Sequence, residues 1–218
     1  MDPGCPRGAR DGGLTTGSDT PGTGWSAYYE AAGDEPRDTL LDALRRFDEE
    51  PVRDRFAVDL GCGTGRDTVE LLRRGWTVLA IDGEAEALER LRRREDLPSG
   101  SSDRLRAERS SFQEAAWPDA DLVNSSFALP FCPPTAFPGL WRRIERSLRP
   151  GGRFSGHFFG DRDGWSGEEE MTFRTRGQVE ALLDSLEVER LDEIEEDGKT
   201  ATGRDKHWHL FHIVARRR

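Results

Sequence analysis

Apolar residues along this chain follow two rhythms that take turns. Leu40, Leu41, Leu44 and Phe47 recur at helical spacing between Thr39 and Phe47, and Pro51 ends that stripe. Val69, Leu71 and Leu72 mark a second helix over Asp67 to Arg74, with Gly75 as its stop. Leu88 and Leu91 line the inner side of a charged helix over Glu84 to Glu95. Leu140, Trp141, Ile144 and Leu148 make a further amphipathic helix that stops at the turn Pro150-Gly151-Gly152. Between these stripes lie short runs that are nearly continuous in apolar residues. They are Phe56 to Leu60, Trp76 to Ile81, Asp121 to Phe127 and Arg153 to Phe159, with a shorter one from Leu105 to Phe112. Runs of that kind suit parallel strands covered on both faces. The pattern therefore predicts an α/β architecture.

The C-terminal third departs from this alternation. Thr175 followed by Gln178 is a capping-box signature, and Val179, Leu182, Leu183 and Leu186 give its helix a buried face. Glu187 to Glu196 reads as a weak, charged strand that an exposed edge tolerates. His207 to Ala215 is apolar on both faces, with Trp208, Leu210 and Val214 opposite Phe211, Ile213 and Ala215, so it belongs inside a sheet.

Composition narrows the function classes. At 218 residues the length suits one domain with a sizeable core. Residues 1–23 are rich in Gly, Pro, Thr and Asp with almost no large apolar residue, and we expect a disordered tail there, with a single domain over residues 24–218. A formal net charge of −10 argues against a general nucleic-acid binder. No stretch is long and apolar enough for a membrane span or a secretory signal. Cys5, Cys62 and Cys132 are too few and too scattered for a disulfide framework or a zinc site, so a cytoplasmic location is expected.

The candidate chemistry centres on Val58-Asp59-Leu60-Gly61-Cys62-Gly63-Thr64-Gly65-Arg66, which joins the first strand to a helix. Glycines there allow positive φ and bring a ligand close to bare main chain. A dinucleotide fingerprint needs its third glycine one residue further on, where Arg66 stands. The second strand ends in Asp82-Gly83, and a carboxylate in that place can hold a ribose diol. The G-x-G-x-G block with Asp59, the run Asn124-Ser125-Ser126-Phe127 and the run Leu-Arg-Pro-Gly-Gly-Arg-Phe at residues 148–154 resemble class I S-adenosylmethionine-dependent methyltransferases. In size and compactness the chain is similar to the small bacterial type that detoxifies tellurite or thiopurines.

That resemblance covers about residues 25–216 and carries implications of its own. It implies a Rossmann-like seven-stranded sheet of order 3-2-1-4-5-7-6, strand 7 antiparallel, with helices on both faces. It implies S-adenosyl-L-methionine as cofactor, held by Asp59, Gly61, Cys62, Gly63, Asp82, Gly83, Ser111, Phe112 and Asn124, with Ser111 and Phe112 at the adenine and Asn124 to Phe127 beside the sulfonium. Direct displacement at a sulfonium methyl needs alignment more than acid catalysis, so no catalytic residue is obligatory. Candidates on the acceptor side are Tyr28, Tyr29 and His157, the last read first as a structural histidine bonded to a carbonyl and only second as a base; Trp25, Tyr28 and Tyr29 suit either core packing or a lid over the ligand. Asp161 to Trp165 suits a pocket mouth or a plain polar loop. His207 and His209 share a strand face without an acidic or thiol ligand nearby in sequence, so no metal is expected.

The expected activity is methyl transfer to a small-molecule acceptor, with no nucleic-acid or membrane partner. The oligomeric state and the acceptor are not written in the sequence. Two alternatives share the architecture: a nicotinamide-dependent oxidoreductase, which lacks its Tyr-x-x-x-Lys pair here, and a non-catalytic nucleoside-binding module.

Overall fold

The computed structural model of the chain describes residues 25–51 and 53–218. The predicted tail over residues 1–23 lies outside the described residues. The chain opens with α1 (Trp25–Ala31) and α2 (Asp38–Asp48), then alternates through β1 (Phe56–Leu60), α3 (Arg66–Arg73), β2 (Thr77–Asp82), α4 (Ala85–Arg92) and β3 (Leu105–Arg109). It continues with β4 (Ala120–Ser125), α5 (Phe137–Ser147), β5 (Leu148–Gly160), the two-residue β6 (Phe173–Arg174), α6 (Arg176–Leu183), β7 (Leu186–Lys199) and β8 (Asp205–Arg217).

The strands form one sheet in the order β3-β2-β1-β4-β5-β8-β7, with β6 attached to β5 off that path. Discounting β6, this is the order expected from the sequence. β1 pairs in parallel with β2 and β4, and β4 pairs in parallel with β5. β8 runs antiparallel between β5 and β7. The interior strand is the one apolar on both faces, and the charged strand closes the edge, where half its side chains meet water at little cost.

Each face of the sheet carries its own core. On one side Val58, Ile81, Val123, Phe154, Phe158 and Ile213 pack against Phe137, Trp141 and Ile144 of α5 and Val179 of α6. On the other, Ala57, Val78, Leu122 and Val214 meet Leu40, Leu44 and Phe47 of α2 and Leu71 and Leu72 of α3. Burying each of these large side chains is worth about 1.5–3 kcal/mol. The capping box at α6 forms as predicted: Gln178 N–H donates to Thr175 Oγ1 at 3.3 Å, and Thr175 N–H donates to Gln178 Oε1 at 3.0 Å.

Several boundaries differ from the sequence reading. The Pro150-Gly151-Gly152 turn lies inside β5, which starts at Leu148, directly after α5. Gly151 has φ +79°, and the β4–β5 register shifts between Ala120 and Leu122, so the turn is absorbed as a bulge. β3 ends at Arg109 rather than Phe112, and Leu186 opens β7 instead of extending α6. One charged residue in the strand interior has a clear cause. Arg153 is buried, but its guanidinium reaches Glu189 Oε2 at 2.7 Å and Glu50 Oε1 at 2.6 Å and lies 4.4 Å from the Phe47 ring. It clamps β5 to β7 and to the residues that follow α2.

Candidate functional site

A cavity of about 950 Å³ opens at the carboxyl ends of β1, β2 and β4. Its floor is the turn after β1. Gly61, Gly63 and Gly65 all have positive φ, at +72°, +54° and +86°. They do different work. A side chain on Gly61 would overlap Ala128, and one on Gly65 would overlap Leu91, so those two glycines let neighbouring protein segments close in. Gly63 has only Tyr29 Cε1 near its missing Cβ, at 3.8 Å, and it is the glycine whose bare face looks into the cavity. Gly61 and Gly63 both line the cavity, and Gly65 does not.

Asp82 holds this turn in shape. Its Oδ2 accepts from Gly63 N–H at 2.8 Å and its Oδ1 from Glu84 N–H at 2.9 Å, while the side chain lines the cavity. Burial raises its pKa, and the same two main-chain donors oppose that rise. Each carboxylate oxygen keeps lone-pair capacity for a further donor, the requirement for binding a diol.

Asp59 and Asn124 belong to a network around and beneath that floor. Asn124 Nδ2 donates to Asp59 Oδ1 at 2.9 Å and to Asp67 Oδ2 at 3.0 Å, and its Oδ1 accepts from Ser155 Oγ at 2.7 Å. Thr68 Oγ1 completes Asp59 at 2.5 Å, and Arg37 N–H completes Asp67 at 2.9 Å. Burial, then the Asp67 carboxylate, pushes the Asp59 carboxyl above the ordinary range. Asn124 is fully buried and does not line the cavity, whereas Ser126 and Phe127 do. The amide of Asn124 is taken up by Asp59, Asp67 and Ser155 instead of by the cavity wall.

Cys62, Gly83, Ser111 and Phe112 line the cavity as expected. Burial raises the Cys62 thiol well above its usual pKa, which leaves it a neutral wall residue. Ser111 has a job already: its hydroxyl donates to Glu114 Oε2 at 3.0 Å and accepts from Glu114 N–H at 3.3 Å.

α1 forms one wall. Trp25 stacks with Tyr29 at 6.3 Å and meets Phe131 edge-on at 4.9 Å. Ser26 Oγ donates to Glu86 Oε1 at 2.9 Å, which ties α1 to α4. Trp25, Tyr28 and Tyr29 all line the cavity, and Tyr29 is at the same time buried, so the segment both packs and walls the cavity. Burial and then the Asp82 charge raise the Tyr29 pKa far above that of a free phenol, so Tyr29 is a neutral donor there.

His157 stands apart. It is fully buried, and the Phe127 ring stacks on it at 4.0 Å with 19° between planes, separating it from the cavity. Arg37 lies 4.5 Å from the centre of that Phe127 ring. Phe127 has φ +55°, an uncommon conformation for a non-glycine residue that its surroundings must hold in place. Burial pushes the His157 imidazole down to about 4.

The far end of the cavity was not read from the sequence. Phe131, Phe159, Trp165, Met171, Trp208 and Leu210 make an apolar chamber there. Rings of Phe159, Trp165 and Trp208 lie 5.8–5.9 Å apart. Behind them Lys206 Nζ sits 3.6 Å from the Trp208 ring centre and bridges Asp163 Oδ1 and Oδ2 at 2.5 and 2.6 Å. Burial lowers the Lys206 pKa and Asp163 counters it. The segment Asp161 to Trp165 is therefore divided: Trp165 lines the chamber, and Asp163 is a buried counter-ion. The only signal in the sequence was an excess of aromatics outside any helical stripe.

Comparison with known proteins bears on the family and the fold. Residues 57–152 match the family model described as a methyltransferase domain. A segment of 97 residues is 39% identical to trans-aconitate 2-methyltransferase of Deinococcus radiodurans, covering 44% of this chain and 34% of that protein. The match thus spans about a third of that curated relative's length. Among solved structures, TehB from Haemophilus influenzae superposes with TM-score 0.68 at 15% identity, over 84% of this chain and 62% of that one. The 1,6-didemethyltoxoflavin-N1-methyltransferase of Burkholderia thailandensis, solved with its acceptor and S-adenosylhomocysteine bound, gives 0.61 at 21% identity, over 83% and 77%. Among the described residues no helix is long and apolar enough to cross a membrane.

Proposed function

We propose that the protein, whose residues 57–152 match a methyltransferase domain, is an S-adenosylmethionine-dependent enzyme that methylates a small, flat, apolar molecule. The observation that carries this reading is the shape of the cavity. One continuous space of about 950 Å³ has the glycine turn and Asp82 at one end and the Phe159–Trp165–Trp208 chamber at the other. Ligand pockets commonly span about 300–1,000 Å³, so this one is large enough for a nucleoside cofactor together with an acceptor.

The residues at the first end suit S-adenosylmethionine. Gly63 offers bare main chain, Asp82 offers carboxylate lone pairs for a ribose diol, and Phe112 offers an apolar face for a base. When bound, the cofactor would supply an electrophilic methyl group: the acceptor would bond to that carbon as the carbon–sulfur bond breaks, the thioether leaving with the electron pair and needing no acid. The chain contributes placement and dryness. Trp25 and Tyr29 close the cavity from α1 and exclude water, which strengthens every polar contact inside. The aromatic walls orient a planar acceptor by stacking and edge contacts. Lys206 does not offer a free cation to an anionic acceptor, because Asp163 already neutralises it. The Burkholderia neighbour, a 1,6-didemethyltoxoflavin-N1-methyltransferase, is a precedent for a small-molecule acceptor on this fold.

A turnover screen with S-adenosylmethionine tests the acceptor class, product mass being the readout. Aromatic phenols, thiols and ring amines should give a mass increase of one methylene, and small oxyanions and polycarboxylates should not. Turnover confined to the anions would contradict the proposal.

A further inference from the structure

Three side chains from distant parts of the sequence converge on the α2 side of the sheet. Asp38 is the first residue of α2, and His157 and His212 sit directly opposite each other in the β5–β8 pairing. One ligand atom from each lies within 4.8 Å of the other two. Asp38 Oδ1 is 3.8 Å from His157 Nε2, and Asp38 Oδ2 is 3.2 Å from His212 Nδ1. The imidazole centroids are 4.5 Å apart with planes at 85°.

Most of the imidazole nitrogens here lack a partner. His157 is fully buried, and neither of its ring nitrogens has a hydrogen-bond partner among the described residues. Nε2 of His212 is likewise buried without one. A buried polar nitrogen stripped of water and given nothing in return is costly, and such groups are rare in folded proteins. One imidazole gives a single ion one nitrogen, and the nitrogens that face Asp38 are His157 Nε2, which has no partner, and His212 Nδ1; a shared ligand there would supply the partner that His157 Nε2 lacks.

We propose that Asp38, His157 and His212 form a binding site for one divalent transition-metal ion of the zinc type. Two neutral imidazoles and one carboxylate are a donor set suited to zinc and its first-row neighbours, whereas magnesium and calcium take oxygen ligands. Three protein ligands leave room for water to complete the coordination. The Asp38 side chain is 53% exposed, which gives a hydrated ion a way in from solvent. The competing cation is Arg190, whose Nη2 lies 2.8 Å from Asp38 Oδ2; its Nε already holds Asp192 Oδ2 at 2.6 Å and retains that partner if Asp38 is taken. An ion here would fasten the start of α2 to β5 and β8. Arg37 immediately precedes α2, and Phe127 covers His157, so the site would stiffen that wall of the cavity without facing into it. The inference does not rest on the methyl-transfer reading.

The test uses the full chain freed of metal by a chelator and titrated with zinc chloride, then with cobalt chloride. One equivalent of zinc should bind with a dissociation constant of about micromolar or tighter. Cobalt should give visible absorption bands without the near-ultraviolet thiolate band that Cys62 or Cys132 would add. His157→Gln and His212→Gln, each checked for an intact fold by circular dichroism, should weaken zinc binding by more than about tenfold, as loss of a ligand outweighs loss of a supporting contact. His207→Gln should not change it, although His207 has its own carboxylate neighbours in Asp197 and Glu195. Should the buried variants unfold, the ring resonances of His157 and His212 in the unaltered protein must still shift on adding zinc. Absence of saturable binding, unshifted rings, or binding carried by His207 would each overturn the site.

Discussion

At the scale of single residues, the glycine turn separates two kinds of constraint that look alike in sequence. Gly65→Ala places a methyl group against Leu91 at φ +86°, so it should destabilise the fold by about 1–3 kcal/mol in urea denaturation. Gly63→Ala meets no close neighbour and should cost only the left-handed strain, about 1–2 kcal/mol, while lowering affinity for S-adenosylhomocysteine. Equal affinity in the two proteins would show that Gly63 does not face the ligand. Asp59 offers a pH test. Its folded pKa is raised above the unfolded value of about 3.9, so the folded chain holds a proton that the unfolded chain releases. Its contribution is therefore most favourable below that unfolded value and declines as pH rises through the raised folded one. Compared with Asp59→Asn, the unaltered protein should lose more stability between about pH 5 and about pH 8; parallel curves would exclude the effect.

Elements show what sequence patterning can and cannot reach. The capping box at Thr175 was legible because both partners lie three residues apart, and Thr175→Ala should cost about 1 kcal/mol in thermal or chemical unfolding. Parallel strands and the charged edge strand were legible from their apolar runs, which report burial on two faces or one. Asn124 was placed in the right strand, but its hydrogen bonds to Asp59 and Asp67 join segments far apart in sequence and leave no local signal. The aromatic chamber was missed for another reason. Phe131, Phe159, Trp165 and Trp208 come from four separate stretches, and only the β5–β8 pairing and the packing of the connecting loops bring them together. Lys206 shows the same dependence on tertiary contact: it reads as a surface lysine but has a side chain only 2% exposed against Asp163. Lys206→Ala leaves that carboxylate buried without a counter-ion and should cost about 3–5 kcal/mol; a loss under about 1 kcal/mol would mean the pair is dispensable.

For the molecule as a whole, the sheet order decides where chemistry can happen. Strand order reverses between β1 and β4, so the turns after these strands diverge and leave a crevice at their carboxyl ends. The cavity occupies that crevice, with α1 folded over it and the apolar chamber extending toward β5 and β8. The glycine turn and Asp82 were readable as candidate residues because their spacing is local to adjoining strands. The aromatic chamber was not, because its walls are assembled by the whole fold.

The central claim is that Asp82 and the turn it braces hold a sulfonium nucleoside. Calorimetric titration of the protein with S-adenosylhomocysteine, beside its Asp82→Ala variant and with NADH as the comparison ligand, addresses it directly. We predict a dissociation constant of about micromolar for the nucleoside, a loss of more than about tenfold in the variant, and no saturable binding of NADH. Equal affinity in the variant, or preference for NADH, would contradict the account.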